Sequence, residues 1–230
     1  MLLASSLGHT DTTLSPSLVP LETVETWPRA LSGLTLKNVC LSVVKEGKNI
    51  YKEQGEMLLT HFGVSGPLVL TASAYLAGNA VGAKLYIDLK PALSAEQLRV
   101  KMDRDISENP KKTIEGALSG WLPSRLLMAV LETSGINAQQ RAADTSRVAR
   151  TSIIETIKTL PLTVKGTRPY TEAVITRGGV SVKEVNASTM ESKLVKGLFF
   201  AGEILDVDAF TGGFNLQIAW STGALAGSNA

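Results

Sequence analysis

Residues 197–217 read GLFFAGEILDVDAFTGGFNLQ, and this stretch decides the fold of the C-terminal part of the chain. The first seven residues form a continuous apolar run closed by glycine and acid, which is typical of a strand buried on both faces of an α/β sheet. The Thr-Gly-Gly sequence at residues 211–213 then predicts a turn, followed by a small-residue helix over residues 211–227. A helix N-terminus offers unpaired N–H groups and a positive dipole end to an anionic ligand. A glycine-rich turn without any ligand is the alternative.

The composition describes a globular protein without a strong general charge. The chain has 230 residues, 44% hydrophobic and 19% charged, with a net charge of +2. One cysteine, Cys40, excludes an internal disulfide, and two histidines, His9 and His61, leave little for metal ligation, so we expect no metal. Apolar runs shorter than the roughly 20 residues of a membrane span, and the lack of a signal peptide pattern, favour a cytoplasmic protein that makes no membrane contact.

Upstream of the C-terminal stretch, a sheet-rich region is interrupted by helices. Alternating apolar and polar residues predict strands at residues 18–24, 34–44, 83–89, 162–164, 173–176 and 180–185, with a hairpin turn at residues 46–49. Pro67 opens a short apolar helix that Gly78 closes. Capping-box spacing from Ser94 to Gln97 starts a polar helix, and further helices are predicted at residues 123–133 and 146–160.

Two long motifs in this order are similar to one family of flavoproteins. Residues 184–227 contain TMESKLV, GLFFAGE, LDVD and TGGFNLQ, and they resemble the C-terminal part of the BaiN-like bacterial FAD-binding oxidoreductases. Residues 55–67, GEMLLTHFGVSGP, resemble the hallmark of the same family's inserted domain. The resemblance implies a glutathione-reductase-like FAD-binding domain, interrupted by a small β-barrel-like unit and a helical unit.

The expected fold class is therefore α+β, with a β-barrel-like insert domain that a helical subdomain interrupts and a C-terminal strand and helix of an α/β FAD-binding domain. We assign residues 1–15 and 181–230 to the FAD-binding domain, residues 16–90 and 161–180 to the β-rich insert domain, and residues 91–160 to the helical subdomain. The family's N-terminal G-x-G-x-x-G segment, which holds the ADP half of FAD, is absent from these residues. We therefore expect a fragment that does not retain FAD and is inactive by itself.

The resemblance also implies a set of flavin contacts. Gly202 and Glu203 would lie against the ribityl chain, while the glycine-rich helix N-terminus would face the pyrophosphate and the pyrimidine edge of the flavin. The complete set of expected cofactor-binding residues is Gly178, Gly179, Gly202, Glu203, Asp206, Thr211, Gly212, Gly213, Asn215 and Leu216. For Gly178 and Gly179, a hairpin or bulge without a ligand is the alternative.

In the longer protein, the resemblance implies an FAD-dependent oxidoreductase that uses a small organic donor or NAD(P)H and acts on a small organic substrate. The catalytic residues are unknown. His61 is a candidate acid or base, and a structural histidine in a tight loop is its alternative. No Ser-His-Asp arrangement is expected, because no other histidine has a plausible site context. The expected partner of this chain is the missing dinucleotide-binding segment, against which residues 1–15 and 197–230 would pack.

A second hypothesis is a cofactor-free module that docks on protein or nucleic acid through the helical subdomain. Residues 91–170 carry 12 basic and 8 acidic side chains, a local net charge of +4. The basic residues that could form one face are Lys111, Lys112, Arg141, Arg147 and Arg150. With Trp121 and Tyr170 as the aromatics of this region, the pattern is more typical of a solvated surface, so nucleic acid is not an expected partner.

Overall fold

The computed structural model describes residues 2–76 and 78–230, with Leu2 described by its backbone alone. The chain divides into two compact units. The first unit contains Met1–Leu21, Val69–Val81 and Gly166–Ala230, and the second contains Glu22–Leu68 and Gly82–Lys165. The domain assignment made from the sequence, with boundaries at residues 15, 90, 160 and 180, stays a prediction.

The helices and strands follow one another along the chain in a mixed order. The strands are β1 (Ser15–Ser17), β2 (Leu21–Thr23), β3 (Thr35–Lys45), β4 (Lys48–Leu59), β5 (Gly63–Ser65), β6 (Lys84–Asp88), β7 (Leu160–Thr167) and β8 (Ile175–Arg177). The α-helices are α1 (Leu2–Ser6), α2 (Trp27–Ala30), α3 (Pro67–Tyr75), α4 (Ala95–Glu108), α5 (Ile114–Ala117), α6 (Ser124–Thr133), α7 (Arg147–Lys158) and α8 (Phe214–Gly227).

Six strands close into a β-barrel in the order β2-β5-β4-β3-β6-β7. The long hairpin of β3 and β4 turns at Glu46 and Gly47, both with positive φ, as the sequence predicts for residues 46–49. Alternate side chains point inward: Leu41 lies opposite Ile87, and Val43 lies opposite Leu85. All four are fully buried. The predicted α+β fold with a small barrel is therefore confirmed.

The helices between β6 and β7 pack around their own apolar residues. Ser94 caps α4, because its hydroxyl accepts the N–H of Gln97 at 3.1 Å and the Gln97 side chain accepts the N–H of Ser94 at 2.8 Å. Apolar faces of α4, α6 and α7 supply buried residues that include Met102, Leu127 and Ile153. The predicted helices at residues 123–133 and 146–160 are therefore confirmed within two residues at each end.

The first unit differs from expectation at two predicted strands. Residues 197–203 form no strand; Phe199 makes one isolated bridge with Glu191, and Gly202–Ile204 is a short 3-10 turn. Residues 180–185 likewise contain a 3-10 turn at Val182–Glu184. Strands need neighbours that pair with them over several residues, and neither run has such a ladder in the described chain. The run still contacts the core of this unit, because Phe200 is buried with Val180 and Leu205 while Leu198, Phe199 and Ala201 are partly buried against them.

Candidate functional site

A cavity of about 390 Å³ lies within the first unit. The N-terminus of α8, the loop before it and the strand β8 form its walls. Its apolar lining includes Leu18, Val174, Val207 and Phe210. The expected cofactor-binding residues that line it are Gly202, Glu203, Thr211, Gly212, Gly213, Asn215 and Leu216. Its volume falls in the range of small-molecule sites, about 300–1,000 Å³.

The N-terminus of α8 carries no capping side chain. Gly213 is the N-cap residue and has a φ of +90°, a conformation that glycine adopts without strain. The first intrahelical bond runs from the N–H of Gln217 to the carbonyl of Gly213. The N–H groups of the three residues between them therefore lack helical acceptors. Since Gly213, Asn215 and Leu216 line the cavity, this end of the helix can receive an anionic or electron-rich group.

The loop before α8 is held in place by its own contacts. Asn215 forms a pair of bonds with the backbone of Ala209: its amide donates to the carbonyl at 2.8 Å and its carbonyl accepts the N–H at 2.9 Å. The ring of Phe210 stacks on Tyr75 with centroids 5.2 Å apart. The hydroxyls of Thr71 and Thr211 lie 3.3 Å apart. Asn215 thus shapes the loop, and the direct flavin contact that the family resemblance implies for it stays a prediction.

Glu203 lines the cavity with its carboxylate bound to the opposite wall. One carboxylate oxygen accepts the N–H of Thr176 in β8 at 2.5 Å. The N–H of Gly202, the preceding residue, donates to the hydroxyl of Thr222 in α8 at 2.9 Å. These bonds tie the 3-10 turn at Gly202–Ile204 to both the strand and the helix that border the cavity. The carboxylate keeps a second oxygen for a ligand hydroxyl.

Gly178, Gly179 and Asp206 do not line the cavity, and the two glycines have a clear packing role. A Cβ on Gly178 would lie 2.5 Å from the carbonyl oxygen of Thr13, and one on Gly179 would lie 2.4 Å from that of Ile204. Both glycines have positive φ. The glycine pair lets backbone segments cross closely, and its contact with the cofactor stays a prediction.

A buried histidine in the same unit makes a contact that the sequence did not predict. His9 Nδ1 lies 3.1 Å from a Glu184 carboxylate oxygen, and His9 Nε2 lies 2.9 Å from the hydroxyl of Ser192. The three side chains therefore form a hydrogen-bonded Glu-His-Ser chain. His9 is 175 and 183 positions from the other two residues, so no local motif reveals the chain. The serine hydroxyl also accepts the N–H groups of Leu194 and Val195.

That serine is not placed for nucleophilic catalysis. Ser192 and His9 are buried, and neither lines the cavity of the first unit. The hydroxyl and N–H of Thr10 donate to Glu184 and lower the pKa of its carboxyl; burial partly opposes this effect, and His9 reinforces it. Phe200 meets the imidazole edge-on at 4.8 Å between ring centroids. The Glu-His-Ser hydrogen bonds thus form a structural link between residues near the N-terminus and residues 184–195.

The barrel and the helices of this chain match a known protein family. Residues 15–175 match the family described as the HI0933-like protein barrel and H2TH domain. The chain belongs to this family. Membership in the HI0933-like family agrees at a coarse level with the BaiN-like resemblance of the sequence. The closed barrel, with helices inserted between β6 and β7, is consistent with the barrel and H2TH domain that the family description names.

This HI0933-like chain is similar in sequence to three curated proteins. It is 32% identical to 3-dehydro-bile acid delta(4,6)-reductase from Clostridium scindens, over 99% of this chain and 56% of the relative. It is 35% identical to ribosomal RNA dihydrouridine synthase from Haemophilus influenzae, over 90% of this chain and 49% of the relative. It is 30% identical to ribosomal RNA dihydrouridine synthase from Escherichia coli, over 84% of this chain and 46% of the relative. The chain spans about half the length of the curated relatives it matches.

Three further features that the sequence raised are the position of His61, a metal site and a membrane-spanning helix. His61 is exposed in the turn between β4 and β5, where its ring meets Phe62 edge-on at 4.9 Å between centroids. Its role as an acid or base stays a prediction. Among residues 2–76 and 78–230, no cluster of three or more His, Cys, Asp or Glu side chains could hold a metal ion. No helix in this part of the chain has the length and apolar character needed to cross a membrane.

Proposed function

We propose that this chain supplies the flavin side of an FAD-dependent oxidoreductase. The observation that carries the proposal is the uncapped N-terminus of α8, which opens onto a cavity with apolar walls. An isoalloxazine ring is largely apolar with a polar pyrimidine edge, so it matches apolar walls that end in N–H donors. Glycines at positions 212 and 213 fit this use, because a Cβ at Gly213 would meet nothing within 4 Å.

The residues of the cavity have distinct proposed roles. The N–H groups at the start of α8 would bind the pyrimidine edge or the pyrophosphate and stabilise negative charge on the reduced ring. The free oxygen of Glu203 would accept a ribityl hydroxyl. Asn215 would act indirectly, because its amide holds the loop at Ala209. Gly178 and Gly179 would support the site by allowing the close backbone crossing beside β8.

The names of the relatives suggest the reaction class. A delta(4,6)-reductase and a dihydrouridine synthase have in common the reduction of a carbon–carbon double bond in a ring. The bound flavin, once reduced by a nicotinamide or a small organic donor, would supply the hydride for such a reduction. The proton donor is unassigned, with His61 as the candidate that the sequence offers.

The whole enzyme would need the dinucleotide-binding segment that the resemblance implies upstream of these residues. This segment would hold the ADP half of FAD, while the present chain contacts the flavin half. The proposal therefore predicts that tight FAD binding requires both parts.

FAD titration, followed by flavin fluorescence, tests the proposal on this chain and on a longer chain that adds the upstream segment of the relatives. We expect tight binding only to the longer chain. There, Leu216→Glu should weaken FAD binding about 10-fold, because it puts a negative charge at the helix N-terminus, where the ligand's own negative charge would lie. An acid in the first turn favours the helix itself, so folding should be retained.

Leu194→Glu is the matched control, because Leu194 is an exposed leucine of the same unit that does not line the cavity. It should leave FAD affinity unchanged. If both variants weaken FAD binding equally, the flavin does not bind at the start of α8. If neither the short nor the long chain binds FAD, the cofactor-free binding module becomes the better hypothesis.

A further inference from the structure

The loop that leads into α8 carries a shielded acidic side chain beside the cavity of the first unit. We call residues 205–213 the cavity loop, because Val207 and Phe210 line that cavity. Asp208 lies between these two residues but does not line the cavity itself. Its side chain is 20% exposed. A carboxylate with this little access to water requires polar partners, and two strands of the same unit supply them.

The carboxylate of Asp208 connects the cavity loop to β1 and β8. Its Oδ2 accepts a hydrogen bond from the hydroxyl of Ser17 in β1 at 3.0 Å. Its Oδ1 lies 3.9 Å from Nε of Arg177 in β8. The two strands pair antiparallel, with Ser17 opposite Ile175. Because Ser17 is 1% exposed while the Arg177 side chain is 41% exposed, the hydroxyl bond is better shielded from water and is the firmer contact.

Arg177 joins the same contact to α3. Its Nη1 donates to the carbonyl of Ala74 at 3.2 Å, in the last turn of that helix, where a cation also complements the helix dipole. The next residue, Tyr75, stacks on Phe210 of the cavity loop. The loop is therefore attached to α3 twice, once through an aromatic pair and once through Arg177 and Asp208.

Asp208 lies between two other attachments of the cavity loop. On one side, the N–H of Asp206 donates to the carbonyl of Val180 at 2.9 Å. On the other side, Asn215 clamps the backbone of the residue that follows Asp208. The segment between these attachments contains Val207, so the contacts of Asp208 decide how closely that side chain approaches the cavity.

We propose that Asp208 is a positioning residue, which sets the apolar wall at Val207 for the flavin. The inference deepens the proposed function and rests on it, since that function assigns the cavity to the flavin. Dispersion contacts lose roughly a quarter to a half of their attraction when a gap of about 0.5–1 Å opens. A small outward shift of Val207 would therefore weaken flavin binding without any loss of polar contact to the cofactor. Asp208 acts through its neighbour and does not touch the flavin.

FAD titration of the longer chain, followed by flavin fluorescence, tests the positioning role. We expect Asp208→Ala to weaken FAD binding about 10-fold, the order of effect of one hydrogen bond to a charged group. Asp208→Asn should restore affinity to within about threefold of the parent, because an amide oxygen still accepts the Ser17 hydroxyl. Ser17→Ala should weaken binding as Asp208→Ala does. Combining Ser17→Ala with Asp208→Ala should add less than about twofold, because both remove the same bond.

Glu172→Ala is the matched control within the first unit. It removes the same charge from an exposed position and also breaks an ion pair, which Glu172 forms with Arg168. Glu172 does not line the cavity. FAD affinity should therefore stay within about twofold of the parent. Thermal unfolding checks that each variant is folded at the temperature of the titration. If Asp208→Ala is not folded, Asp208→Asn and Ser17→Ala carry the comparison.

Hydrogen–deuterium exchange of the same longer chain without FAD measures the cavity loop directly. Asp208→Ala should speed amide exchange within residues 205–213 about 10-fold, since the loop opens more often when its attachment to β1 is lost. Asp208→Asn should restore most of the protection, and Glu172→Ala should leave it unchanged. This measurement does not depend on whether flavin binds.

The possible outcomes separate the positioning role from the proposed function. Parent-like FAD affinity and exchange in Asp208→Ala would overturn the positioning role. Equal weakening by Asp208→Ala and Asp208→Asn, or by Glu172→Ala, would also overturn it, because the effect would then follow charge and not the Ser17 bond. Failure of the unsubstituted longer chain to bind FAD would refute the proposed function and, with it, the flavin role of Asp208. The exchange measurement would then still show whether Asp208 holds the cavity loop.

Discussion

Among individual residues, the buried imidazole of His9 is notable because both of its ring nitrogens contact polar side chains. It bridges the carboxylate of Glu184 and the hydroxyl of Ser192. Each ring nitrogen thus lies within hydrogen-bond distance of one polar side chain. An unpaired polar group in this buried place would be destabilising. The contact therefore stabilises the first unit by joining residues that are far apart in the sequence.

Glu184 makes this link sensitive to acid. Its pKa is lowered in the folded chain, chiefly by the hydrogen bonds from Thr10. The stabilisation that this gives is full above the carboxyl's unfolded pKa and is lost as pH falls through the lower folded pKa. We expect Glu184→Gln to reduce the free energy of unfolding at neutral pH and to flatten its decline between about pH 5 and about pH 3.

Urea unfolding across this pH range measures the effect. Glu56→Gln is the control, because Glu56 is an exposed carboxylate on β4. The assignment is wrong if Glu184→Gln and Glu56→Gln have the same pH profile of stability as the parent chain.

At the element scale, the loop after β8 depends on a backbone crossing. The N–H of Gly179 donates to the hydroxyl of Thr12, and its carbonyl accepts the N–H of Thr12. The N–H of Val180 donates to the carbonyl of Ile204 at 2.8 Å. The glycine thus lies between the segment before β1 and the 3-10 turn at Gly202–Ile204, which borders the cavity.

Two glycine substitutions distinguish the effect of a steric clash on stability from the effect of a positive φ alone. Gly179→Ala should destabilise the chain by about 3 kcal/mol or more, because its Cβ would lie 2.4 Å from the Ile204 oxygen at a φ of +148°. Gly197→Ala also has positive φ but meets nothing within 4 Å, so it should cost only about 1–2 kcal/mol. Thermal or urea unfolding compares the two, and equal destabilisation by both would refute the role of the crossing.

At the scale of the whole molecule, α8 leaves large apolar side chains exposed. Phe214 and Leu216 are each 60% exposed, and Trp220 is 69% exposed. Leu216 and Trp220 are four residues apart and share one face of α8, and exposed apolar surface of this kind marks an interaction site or an association liability. In the proposed enzyme, this face would pack against the FAD-binding domain that the resemblance implies.

We therefore expect the isolated chain to self-associate through α8. Trp220→Glu should shift the population toward monomer, because it places a charge in the apolar face. Val148→Glu is the control at a more exposed valine on α7. Sedimentation equilibrium over a wide range of protein concentration measures the change. A parent chain that stays monomeric throughout would contradict the expectation.

The sequence predicted much of the fold, because its signals there are local. Alternation at residues 34–44 and 83–89 identified the strands of the barrel, and the Ser94 cap identified the start of α4. The run at residues 197–203 misled for a local reason as well. Its apolar character correctly indicated the burial of Phe200, but whether a segment becomes a strand depends on neighbours that a local pattern does not contain.

The candidate site likewise has features that local sequence predicts and features that depend on tertiary contacts. Residues 211–216 were accessible to sequence reasoning, because glycine-rich helix starts have a recognisable local pattern and a family resemblance. The use of Asn215 as a loop clamp, the Glu-His-Ser link and the bond between Asp208 and Ser17 depend on distances between residues remote in the chain. The sequence by itself thus determined the helices, the barrel strands and the glycine-rich helix start. Only the tertiary structure decided which side chains meet, because packing sets those distances.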